Sequence, residues 1–210
     1  MSAKKHSFEN SQIKVDFDGS ICAHAGICFR ELKSVFDGDA NPPINLSGAP
    51  LDKIIAVVEK CPSSALRYQR LDGEKQESAP ESAIATIIPG GPLALHGKLE
   101  LNDAKWTRLT LCRCGYSNNK PFCDGSHNKH TFDDGKIAEP ELSSSTDAEN
   151  LITIKAIANG PLIIKGDLTF KTADGKTAGR REKCGVCRCG KSNNKPFCDG
   201  SHKAFGFTTE

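Results

Sequence analysis

Between residues 12 and 17 the chain writes QIKVDF, where apolar and polar side chains alternate as they do along a strand with one buried face. Pro50 then opens a stretch in which Leu51, Ile54, Ile55 and Val58 recur at helical spacing, predicting a helix with proline near its first turn that stops near Cys61-Pro62. LRYQRL, residues 66–71, reads as a strand able to return beside the first, so this region predicts a small α+β unit. Further on the pattern repeats itself: GPLALHGKLEL at 91–101 parallels GPLIIKGDLTF at 160–170. The stretch from Leu162 to Cys187 is six residues longer than that from Leu93 to Cys112, which places an insertion in the hairpin around ADGKTAGRREK, where Asp174-Gly175 is a turn signal. Two polar, acidic stretches, 72–82 and 133–150, read as connectors.

Each repeat closes on a loop that no apolar periodicity organises. CRCGYSNNKPFCDGSH occupies residues 112–127 and CRCGKSNNKPFCDGSH residues 187–202, with Tyr116 against Lys191 as the one difference. The shared spacing C-x-C-x8-C-x3-H gives two sets, Cys112, Cys114, Cys123 and His127, then Cys187, Cys189, Cys198 and His202. Three thiols and an imidazole within so short a segment suit a metal centre with a thiolate majority. Gly115 permits tight backbone beside the first sulfurs, Pro121 stiffens the approach to Cys123, and Asp124-Gly125 turns His127 back. Asp124 and Asp199 are placed to cap a brief helix after each Asp-Gly-Ser-His or to orient the histidine. The same donors also make an ordinary structural zinc set, although zinc cysteines usually stand two to four residues apart.

The doubled motif, with the GPL strands near it, resembles the mitoNEET-like CDGSH iron-sulfur family. That resemblance implies a [2Fe-2S] cluster in each set, the first two cysteines on one iron and the third cysteine with the histidine on the other. Single-motif members pair as dimers whose strands exchange into a β-cap, so two motifs in one chain imply an intramolecular pseudo-dimer. Near the N-terminus, Cys22, Cys28 and a distant Cys61-Pro62 resemble a single-cluster bacterial ferredoxin, in the divergent form C-x-H-x-G-x-C written by Cys22, His24, Gly26 and Cys28. Ala25 occupies the place of a further cysteine. Three cysteines suit a [3Fe-4S] cluster, while a [4Fe-4S] cluster needs a substitute ligand, for which His24 is a candidate. A ferredoxin fold that has lost its cofactor is the competing reading. The fold expected is therefore α+β: a ferredoxin-like domain over 1–72, then β-rich repeats over 83–135 and 150–210.

Composition narrows the function. Ten cysteines, no apolar signal core in MSAKKHSFEN and a greasy stretch, AIATIIPGGPLAL, too short and broken to span a bilayer together predict a soluble, unexported, cytoplasmic chain whose thiols stay reduced. A net charge of +2 without a basic block argues against nucleic acid as partner. With no Ser-His-Asp set, phosphate loop or paired carboxylates legible, a catalytic role is not the first reading. Replacing one thiolate by histidine leaves a cluster less negative and easier to reduce, and exposes it to acid, since protons compete for the ring nitrogen. Electron transfer or pH-sensitive cluster storage and delivery follows, in a monomer whose partner is a redox protein or an apo-protein acceptor. A structural zinc adaptor and a component of a redox enzyme are the alternatives. Lys191 is expected to favour reduction of the second centre relative to Tyr116.

Overall fold

The structure is a computed structural model and describes residues 5–130, 132, 134 and 150–209. Most of the connector expected at 133–150 lies outside the described residues. The class is α+β, rich in strands and poor in helix, and the chain forms two compact units, Met1–Ser78 and Ala79–Glu210. No helix among the described residues is long and apolar enough to cross a membrane.

In the first unit β1 (Lys5–Glu9), β2 (Ile13–Asp18) and β3 (Leu66–Arg70) form an antiparallel sheet in that order, with Val15 opposite Tyr68. The alternation of QIKVDF is realised, with Ile13 and Val15 fully buried. β1 carries no comparable pattern because most of it is exposed. Its register comes from the turn, where the Asn10 side chain accepts the amides of Gln12 and Ile13. Helix α1 (Ile27–Glu31) and helix α2 (Leu51–Glu59) follow, the latter entered through Pro50 and burying Ile54, Val57 and Val58 against the sheet.

The second unit interleaves its repeats. β4 (Ala83–Ile87), β5 (Leu93–Leu101) and β6 (Ala104–Leu111) belong to the first repeat, and β7 (Leu151–Ala156), β8 (Leu162–Thr172) and β9 (Thr177–Val186) are their counterparts. Each long central strand pairs with the two other strands of its own repeat and, in parallel, with the opening strand of the other: β5 takes β7 over Lys98–Leu101, and β8 takes β4 over Leu168–Thr172. The changeover falls at Gly97 and Gly166. A Cβ at Gly97 would stand 2.7 Å from the Cβ of Ala83, and one at Gly166, where φ is +112°, would stand 2.4 Å from the carbonyl oxygen of Leu151. In each case glycine lets the opening strand of its own repeat pass close by, at the point where the other repeat's strand takes over the pairing. Inward residues of all six strands, among them Leu95, Leu99, Leu109, Ile152, Ile164 and Phe170, make one core. The added residues of the second repeat lengthen the β8–β9 hairpin, whose turn holds Gly175 at φ +86°.

Candidate metal centres

β6 and β9 end at the first cysteine of each motif, and the loop beyond folds back on them. The Cys112 amide donates to the Pro121 carbonyl and the Cys123 amide to that of Thr110, each at 2.9 Å; Cys187 and Cys198 repeat this with Pro196 and Gly185. Inside the loop the Ser117 hydroxyl donates to the Phe122 carbonyl at 2.6 Å and Lys120 Nζ donates to the Ser117 carbonyl, matched by Ser192, Phe197 and Lys195. Polar contacts thus give these loops the definition that an apolar core would supply elsewhere.

This scaffold delivers donors in pairs. Sγ atoms of Cys112 and Cys114 lie 3.7 Å apart, and those of Cys187 and Cys189 3.6 Å apart. Cys123 Sγ lies 3.3 Å from His127 Nδ1, and Cys198 Sγ 3.4 Å from His202 Nδ1. Two thiolates about 2.3 Å from one tetrahedral metal stand roughly 3.8 Å apart, and a thiolate with an imidazole nitrogen roughly 3.6 Å apart. Each pair thus has the spacing of two ligands on one metal. Within each first pair the hydrogen bond between the thiols and the nearby backbone amides hold Cys112 and Cys187 below the usual thiol value, while the same bond and burial push Cys114 and Cys189 up. Burial lowers the pKa of His127 and so favours the neutral ring that can ligate.

Asp124 accepts the amides of both Asn118 and Ser126, as Asp199 does those of Asn193 and Ser201, tying the loop to the turn that carries the histidine. The helical turns begin within the motif, at Ser126–Lys129 and Ser201–Ala204 (α3), with Gly125 and Gly200 at the N-cap in left-handed backbone and no side-chain cap there; Asp124 and Asp199, one residue earlier, instead accept the first amide of each turn. The two cradles also touch. A Cβ on Gly115 would meet the Cys189 carbonyl oxygen at 2.9 Å, and one on Gly190 that of Cys114 at 2.6 Å.

Sequence reasoning missed the two buried arginines between the first cysteines. Arg113 Nε donates to the Gly91 carbonyl and its terminal nitrogen to Ile88; Arg188 does the same with Gly160 and Ile157. They clamp the GPL loops to the motifs. Arg113 also pairs with Asp134 at 2.6 Å. No carboxylate among the described residues pairs with Arg188, whose pKa burial lowers. Cys184, the extra thiol, is buried in the sheet core.

In the first unit Cys22, Cys28 and Cys61 line one small, largely apolar cavity of about 40 Å³, together with Ala25, Gly26, Pro62 and Ser63. Burial raises the pKa of Cys22 and Cys28, and the charge of Cys61 adds to it. His24 is exposed, at φ +53°.

A family model described as an iron-binding zinc finger of CDGSH type matches residues 90–128 and again 159–203. A model described as a divergent 4Fe-4S mono-cluster matches residues 8–71. The chain is 31% identical over 62 residues to the uncharacterized protein YjdI of Escherichia coli strain K12 and, to the same extent, to that of Escherichia coli O157:H7, a stretch covering 30% of this chain and 82% of each relative. No solved structure matches the chain.

Proposed function

Since the chain belongs to the CDGSH-type iron-binding zinc finger family and carries a divergent 4Fe-4S mono-cluster domain at its N-terminus, we propose that it is an electron carrier holding one [2Fe-2S] cluster in each repeat. The observation that carries this reading is the pairing of donors: two thiols at 3.7 Å and a thiol with an imidazole at 3.3 Å, reproduced within 0.1 Å in the second motif. When bound, such a cluster supplies a one-electron redox couple. Cys112, Cys114, Cys123 and His127 would hold the first, and Cys187, Cys189, Cys198 and His202 the second. Gly125 and Gly200 donate their amides toward the sulfurs of Cys123 and Cys198, which steadies negative charge there.

The interleaved strands support treating the two repeats as an intramolecular pseudo-dimer with a β-cap, and the Gly115 and Gly190 contacts support electron exchange between its cradles. Histidine ligation makes each centre acid-labile, so cluster release to an apo-protein acceptor is the companion activity. A structural zinc adaptor requires one ion for four donors, and donors grouped in pairs favour two metals instead.

Anaerobic purification with iron and sulfide quantitation tests the reading. A coloured protein whose reduced form shows two-iron paramagnetic signals is expected; a colourless, zinc-loaded protein overturns it. His127→Cys with His202→Cys should lower the potential and slow acid bleaching. Equal bleaching rates at mildly acid pH would exclude the histidines as the labile ligands.

A further inference from the structure

The N-terminal unit disagrees with a four-thiolate cluster at one corner. A run C-x2-C-x2-C followed by a remote Cys-Pro supplies four cysteines to a cubane. Here Cys22, Cys28 and Cys61-Pro62 keep three of those places, and the middle one is Ala25. All three cysteines and Ala25 line the same cavity, so the place of the missing donor falls at the cavity wall itself.

Two neighbours could substitute, and the geometry speaks against both. The His24 ring is exposed and does not line the cavity; this residue sits in left-handed backbone and gives its amide to the Cys22 sulfur. Ser63 does line it, but its hydroxyl lies 3.7 Å from Cys61 Sγ and accepts the Ala65 amide, on the side where a thiol already stands. The local fold is built around three sulfurs. The carboxylate of Asp18 caps a short helical turn, Gly19–Ile21, that presents Cys22; α1 carries Cys28; and the Leu66 amide donates to Cys61.

We propose that residues 8–71 hold a three-iron, four-sulfide cluster on Cys22, Cys28 and Cys61, with no protein donor at the corner facing Ala25. It rests on the family reading that this unit binds a cluster, and departs from that reading in the cluster's nuclearity.

Electron parity gives the test in the full chain. Oxidised two-iron clusters and an oxidised four-iron cluster have even electron counts and are silent in electron paramagnetic resonance, whereas an oxidised three-iron cluster has an odd count. Protein isolated anaerobically without reductant should give a signal of about one spin per chain. Ala25→Cys should abolish it and add one iron, and His24→Ala should leave it intact. Four outcomes overturn the proposal: no signal in the fresh oxidised chain, a signal that grows only on standing in air, a signal unchanged by Ala25→Cys, or one lost with His24→Ala. The two-iron signals of the reduced chain report the two repeats separately, so failure here is distinguishable from failure of the electron-carrier reading.

Discussion

Tyr116 and Lys191, the one difference between the motifs, prove to be halves of matched pairs. Tyr116 stacks on His130, with ring centroids 4.0 Å apart, and Lys191 lies 5.8 Å over the ring of Phe205, which holds the equivalent position three residues after the motif histidine. The repeats have exchanged which side supplies the aromatic ring. That exchange was invisible in the sequence, because position 130 gains meaning only once it is seen against position 116. The four candidate donors that spacing alone singles out in each motif are, by contrast, the ones the structure brings together in pairs. A second asymmetry acts in the same direction: Asp134 sets a negative charge beside Arg113, while no carboxylate among the described residues meets Arg188. The second centre should therefore accept an electron at the higher potential. A unit charge ~10 Å away at an effective dielectric constant of ~20 is worth about 1.7 kcal/mol, or some tens of millivolts for one electron. Lys191→Tyr and Asp134→Asn should each narrow the separation of two waves in a spectroelectrochemical titration. A separation that both substitutions leave unaltered would show that other groups set it.

For the elements, the parallel between GPLALHGKLEL and GPLIIKGDLTF announced two strands of one kind but not their neighbours, since a strand's own residues fix which side each faces and say nothing of the strand beside it. Gly97 and Gly166 mark where the neighbour changes, each lying close against the opening strand of its own repeat. Gly166→Ala would force a side chain into left-handed backbone and against the Leu151 carbonyl, so it should destabilise the second unit by roughly 2 kcal/mol or more, read as a lower denaturant midpoint. Gly175→Ala, at a positive φ but with nothing near its Cβ, is the control and should cost less. In the first unit Asp18 both caps the turn before Cys22 and pairs with Lys5 at 3.2 Å. Burial raises its pKa, but hydrogen bonds from Ser20 and Lys5 outweigh that and hold it below the usual carboxylate value. Its contribution is then present above about pH 4 and lost as acid protonates the folded chain. Asp18→Ala should cost about 1 kcal/mol at neutral pH and nothing below that window, a difference measurable by urea titration at the two pH values.

At the scale of the molecule, each unit has its own apolar core, and the core of the second lies in the sheet rather than in the loops that carry the donors. The α+β class was legible because strands and helix each announced their period, whereas the cradles carry no period and depend on polar contacts that only the fold brings together. This division predicts how the protein responds to losing its metal. A small zinc finger unfolds when stripped, because binding free energy is its folding free energy. Here seventeen of the eighteen buried side chains of this core lie on the six strands, Phe197 of the second loop being the other, so nearly all of the core is packed apart from the donor loops. Chelation under mildly acid conditions should bleach the colour and loosen the loops, while a strand-type circular dichroism spectrum and a cooperative thermal transition persist at a lower midpoint. If bleaching instead abolishes the transition, the clusters and not the interleaved strands hold the unit together.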